Sequence, residues 1–134
     1  MMDRTIAHIG IAVKDLEASK KLFAALTGSA ATHEETVADQ KVRTAMFAFG
    51  ETSLELLEGT ASDSPITRFI EKRGEGIHHI AIVVDDLESE LQRLKQEGFQ
   101  LIDEHPRVGA GNMLVAFLHP KSTNGVLIEL SQPR

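Results

Sequence analysis

The apolar positions of this chain change period in a regular order. From Thr5 to Val13 they alternate, with Ile9, Ile11 and Val13 on one side and His8, Gly10 and Ala12 on the other, which is the two-residue period of a strand. Beyond Asp15 the spacing lengthens. Leu16, Ser19, Leu22, Phe23 and Leu26 predict one face of a helix, with Asp15 as its cap and Gly28 as its stop. Three extended runs follow, near 31–37, 41–49 and 52–58. The order then recurs. A strand is expected at 77–84 and a helix from Asp86 to about Glu97, ahead of Gly98, with extended runs near 99–104, 112–118 and 125–131. In between, Asp63-Ser64-Pro65-Ile66 sets a polar cap before a proline at a first helical position, predicting a connecting helix that ends near Arg73.

The recurrence extends to the residues themselves. Residues 8–17 read HIGIAVKDLE and residues 79–88 read HIAIVVDDLE, identical at seven of ten positions with an offset of 71. Leu54-Glu55-Leu56 closes the first half as Ile128-Glu129-Leu130 closes the second, 47 and 50 residues after the leading histidines. The expectation is an α+β fold of two tandem βαβββ modules forming a curled mixed sheet around a metal site, with the helices outside. Within one domain over 1–134, the first module spans 1–60, a connecting helix and loop 61–76, and the second module 77–134. A module of about 60 residues is marginal alone, so the two are expected to share their stability.

Composition narrows the functions open to such a fold. Apolar residues make up 42% of the chain and charged residues 25%, a globular balance. The 134 residues include no Cys, which removes disulfides, thiol nucleophiles and cysteine metal sites. With 14 basic against 20 acidic side chains the formal charge is −6, and neither Trp nor Tyr occurs. A nucleic-acid partner is not expected from that balance. The N-terminus lacks the cationic start and apolar run of a signal peptide, and no segment is long enough to span a bilayer. A cytoplasmic location is expected.

Strand parity locates the chemistry. His8 and His79 begin faces that otherwise carry small residues, and Glu55 and Glu129 sit inside apolar strands, where an unpaired carboxylate is costly. If the modules pack about a pseudo-two-fold axis, two imidazoles and two carboxylates converge and balance one divalent cation. That donor set suits cobalt, zinc, manganese, nickel or iron without choosing among them. Two positions remain open on an octahedral ion. His78 falls on the helix-covered face and reads as structural. His33, His105 and His119 have no repeat partner and read as surface or loop residues.

These residues resemble the vicinal oxygen chelate superfamily, which includes glyoxalase I and extradiol dioxygenases. The likeness runs over nearly the whole chain. It rests on His8-Ile9-Gly10-Ile11-Ala12-Val13, Gly74-Glu75-Gly76-Ile77-His78-His79-Ile80, Phe117-Leu118-His119-Pro120-Lys121-Ser122 and Gly125-Val126-Leu127-Ile128-Glu129-Leu130. Within the superfamily the chain is most similar to the methylmalonyl-CoA epimerases. The resemblance implies His8, Glu55, His79 and Glu129 as ligands of a divalent metal ion and Glu129 as a proton-transfer group. It further implies Lys121, Ser122 and Thr44 as substrate contacts, an acyl-CoA substrate, and a homodimer. Arg107 is a further candidate for phosphate contact.

The implied reaction inverts C2 of a methylmalonyl thioester. Its thioester carbonyl and carboxylate can fill two open metal positions, and the positive charge stabilises the enolate oxygen. Some superfamily members carry Glu where this chain has Thr44. The second acid is therefore open among Glu55, Glu34, Glu35 and a water held by Thr44. A glyoxalase-type lyase acting on a thiol hemithioacetal would use the same ligands. A dioxygenase would use two His and one carboxylate, and a metal-free binding protein would use the cavity alone.

Overall fold

The computed structural model describes residues 4–134; Met1, Met2 and Asp3, which belong to the N-terminus read above as lacking a signal peptide, lie outside the described residues. The chain divides into two compact units, His8–His78, and His79–Arg134 with the described residues before His8.

The first unit opens with strand β1 (Thr5–Ala12), most of which belongs to it, and helix α1 (Leu16–Thr27). Asp15 accepts from the Ala18 amide at 3.1 Å to cap α1, and Gly28 closes it in the left-handed region at φ 79°. Strands β2 (His33–Val37), β3 (Val42–Phe49) and β4 (Thr52–Gly59) follow, in the spatial order β2-β3-β4-β1. The β2/β3 and β3/β4 pairs are antiparallel, and β1 joins β4 in parallel. Helix α1 covers one face, where Leu16 packs with Val13, Ala45, Phe47 and Leu56. Leu22 and Leu26, expected on this apolar face, are instead exposed at 66% and 68%. A turn of 100° per residue carries Leu26 about 80° and Leu22 about 120° away from the line through Leu16, Phe23 and Thr27. Helix α2 (Pro65–Arg73) begins at the predicted Ser64-Pro65 and packs Ile66 against Ala12, Val42 and Leu57 on the other face.

The second unit repeats the plan. Strand β5 (Gly76–Val83) leads to α3 (Leu87–Gln96), capped by Asp86 on the Ser89 amide. Strands β6 (Arg107–Val108), β7 (Leu114–Leu118) and β8 (Ile128–Gln132) complete the order β5-β8-β7-β6. Parallel β5/β8 and antiparallel β7/β8 match β1/β4 and β3/β4. Leu87, Leu91 and Leu94 of α3 bury against Val84, Ala116, Leu118 and Leu130. The expected strand at 99–104 is reduced to one bridge, Leu101 with Leu118, and the strand in its place is the two-residue β6. The cause is local: the Asp103 side chain accepts the Phe117 amide at 2.8 Å, a position a neighbouring strand would otherwise fill.

Among the described residues, eight strands with mixed pairing and three α-helices make this the expected α+β fold. Among the described residues no helix is long and apolar enough to cross a membrane.

Candidate metal centre

Each unit contains the same histidine–glutamate construction. In the first, Gly10 stands opposite Glu55 across the parallel β1/β4 pair, and His8 lies two residues before Gly10 on the same face. In the second, Ala81 stands opposite Glu129 across β5/β8, and His79 lies two residues before Ala81. The residue facing each glutamate is small, which leaves room for the carboxylate to lean towards the imidazole. His8 Nε2 is 3.3 Å from Glu55 Oε1, and His79 Nε2 is 3.3 Å from Glu129 Oε1.

All four side chains are withdrawn from water, with residue exposures of 9% for His8, 3% for Glu55, 4% for His79 and 7% for Glu129. A carboxylate so buried needs a compensating charge. The 3.3 Å spacing is longer than the 2.7–2.9 Å usual for a charge-assisted N–H···O bond. It does match ligand spacing. Donors about 2.0–2.1 Å from one ion stand about 2.8–3.4 Å apart at angles between about 90° and 109°. Imidazole nitrogen and carboxylate oxygen are also the donors that first-row divalent metals take. The residues present therefore fit a metal ion.

The second unit adds a buttress that the pattern of polar residues did not reveal. Phe117 lies opposite Glu129 across β7/β8 and meets the His79 ring edge to face, centroids 5.8 Å apart. The Arg107 guanidinium lies over the Phe117 ring at 5.6 Å, and its Nε donates to Asp103 at 3.2 Å. In the first unit the position opposite Glu55 is Met46.

The other candidates are placed as follows. Thr44 is buried on β3, opposite Leu57 and Glu35, with its hydroxyl 3.5 Å from the Glu35 carbonyl. Lys121 and Ser122 lie in a short 3-10 turn, Pro120–Ser122, capped by His119; the Ser122 hydroxyl accepts the Gln100 amide at 2.8 Å. His78 points away from His79 and stacks edge-on against Phe69 of α2 at 5.0 Å. His33 pairs with Glu35 at 3.0 Å and His105 with Glu88 at 3.4 Å.

Residues 7–117 match the glyoxalase/bleomycin resistance protein/dioxygenase superfamily. The chain belongs to this superfamily. Among relatives of this superfamily member, the Bacillus subtilis uncharacterized protein YqjC is 45% identical over 127 residues, 95% of this chain and 91% of that one. An ethylmalonyl-CoA/methylmalonyl-CoA epimerase of Cereibacter sphaeroides is 37% identical over 127 residues, 93% of this chain and 95% of that one. Among solved structures, a methylmalonyl-CoA epimerase in complex with methylmalonyl-CoA and NH4+ superposes with a TM-score of 0.91 at 36% identity, covering 96% of this chain and 93% of the other.

Proposed function

We propose that this protein is a metal-dependent epimerase that inverts C2 of methylmalonyl-CoA. The observation that carries the reading is the recurrence of one buried His–Glu pair, in the same register and at the same 3.3 Å, in both units. His8, Glu55, His79 and Glu129 are the proposed ligands of one divalent ion. Support comes from epimerase relatives that match along almost the whole chain.

The chemistry asks little beyond this set. A bound divalent cation supplies positive charge for the oxygen of an enolate. The C2 hydrogen lies between two carbonyl groups, so a carboxylate base suffices to remove it. Glu129 is the proposed proton-transfer group on one side of C2. Lys121, exposed in the 3-10 turn, is the proposed contact for a CoA phosphate, with Ser122 and Thr44 as further substrate contacts.

Two measurements test the reading. Metal analysis should find one ion per chain, lost in His79→Ala; two independent ions, or none, count against a shared site. Methylmalonyl-CoA incubated with metal-loaded protein in heavy water should exchange its C2 hydrogen, followed by NMR. No exchange with cobalt, manganese, nickel or zinc loaded, alongside turnover of methylglyoxal with glutathione or bacillithiol, would replace the epimerase by a lyase.

A further inference from the structure

Inversion at a carbon acid needs a proton taken from one side of C2 and a proton delivered to the other. Glu129 can serve only one side. We infer that Glu35 is the second proton-transfer group. This rests on the epimerase reading above.

The register decides the assignment. Met46 lies opposite Glu55 across β3/β4, so Thr44, two residues earlier, shares the face of Glu55. Glu35 lies opposite Thr44 across β2/β3, and His33 lies opposite Met46. Directly opposed residues of an antiparallel pair point to one face. Glu35 and His33 are therefore on the His8–Glu55 face of the sheet. Glu34 points the other way and pairs with Lys20 of α1 at 2.8 Å, which checks the parity.

Other carboxylates of this unit are committed to the scaffold. Glu17 pairs with Lys20 and Arg43, Glu58 accepts the Leu16 amide, Asp63 pairs with Lys41, and Glu75 accepts the Lys14 amide. Glu35 differs. Its carboxylate sits 3.0 Å from His33 Nε2, and its side chain is 30% exposed, so it is shielded yet reachable. A histidine partner suits a group that must gain and lose a proton, because either state keeps a hydrogen bond.

The step balances without a co-reactant. A carboxylate, Glu129 for one enantiomer and Glu35 for the other, takes the C2 proton, and the C–H electron pair passes into the enolate. The carboxylic acid of the opposite group returns a proton to the other face of C2, and that C–H bond forms. No atom is oxidised or reduced. Exchange with solvent, with His33 as relay on the Glu35 side, restores both groups.

The test uses the two enantiomers of methylmalonyl-CoA separately, in heavy water, with metal-loaded Glu35→Gln. Inversion should fall about 10²- to 10⁴-fold. One enantiomer should still exchange its C2 hydrogen near the wild-type rate, the other should not, and bound metal should stay at the wild-type level. Thr44→Glu added to Glu35→Gln should recover inversion at least tenfold by placing a carboxylate on the neighbouring strand. Inversion at the wild-type rate in Glu35→Gln overturns the inference, as does equal loss of exchange from both enantiomers. Wild-type protein that exchanges neither enantiomer overturns the epimerase reading itself, and so separates the two failures.

Discussion

Phe117 holds the His79 ring edge-on, with ring centroids 5.8 Å apart and planes at 81°. An imidazole that ligates a metal must keep one orientation, and the contacts behind a ligand commonly set its affinity by 10- to 100-fold. Phe117→Leu keeps the apolar volume but loses the ring. The expected outcome is metal affinity lowered about tenfold, read by titration with cobalt, in protein whose far-ultraviolet circular dichroism is unchanged. Equal affinity in Phe117→Leu and wild type would remove the buttress from the account. Met46→Leu, at the matching position opposite Glu55, should leave affinity closer to wild type because it replaces no aromatic contact.

Gly59 ends β4 where α2 approaches most closely. A Cβ there would come 2.1 Å from Thr67 Oγ1 and 2.9 Å from Ser64 Oγ. Neither neighbour yields freely: Ser64 is fully buried and caps α2 through the Ile66 amide, and Thr67 donates to the Ala61 carbonyl at 2.8 Å. Gly59→Ala should destabilise by about 1–3 kcal/mol, the range for overpacking a tight site. Made in a Thr67→Ala background, the same change should cost less, because the nearest obstacle is gone. Urea unfolding of the four proteins of this cycle gives the coupling directly.

Much of this arrangement follows from two periods and one repeat. The alternation through His8-Ile9-Gly10-Ile11 and His79-Ile80-Ala81-Ile82 separates each histidine from the helix-covered face, and an isolated glutamate in an apolar strand marks its partner. Capping is equally local: Asp15, Asp86 and Ser64 each accept an amide at the start of a helix. What depends on register was not legible. That Glu35 faces Thr44, or Phe117 faces Glu129, is set by which strands pair and by turn length, and no single segment records either. The run at 99–104 has the composition of a strand, but Asp103 uses its side chain where a strand would use backbone. Leu22 and Leu26 are apolar without being buried, so hydrophobicity alone overestimates the inner face of α1.

Asp103 makes two contacts at once. One carboxylate oxygen accepts the Phe117 amide at 2.8 Å, and the other accepts from Arg107 Nε at 3.2 Å. Asp103→Ala leaves the half-buried Phe117 amide without that acceptor and should cost about 1–3 kcal/mol. Asp103→Asn keeps an oxygen acceptor and should cost less. If the alanine and asparagine variants unfold at the same urea concentration, the amide contact does not matter and only charge does.

Glu90 contributes to the dependence of stability on acid. Glu90 of α3 is bound by the Arg4 guanidinium, with Arg4 Nη2 2.8 Å from Glu90 Oε2. That bond, opposed by burial and assisted by Arg93, holds the Glu90 carboxyl below its ordinary value of 4.5. Arg4 stays charged throughout the acid range, so the carboxylate alone titrates. A carboxyl whose folded value lies below its unfolded one binds its proton less readily in the folded chain. Its stabilisation is therefore complete above about pH 4.5 and disappears as the pH falls through the lower, folded value. Glu90→Gln should be less stable than wild type at neutral pH, by less than about 1 kcal/mol because Arg4 is well exposed to solvent. The difference should shrink as the pH falls below 4.5 and vanish once it has passed the lower, folded value, where both chains carry a neutral side chain at 90. Urea midpoints of the two proteins across this range check it, and a gap that persists at the acid end would mean that packing of residue 90, not its charge, supplies the stabilisation.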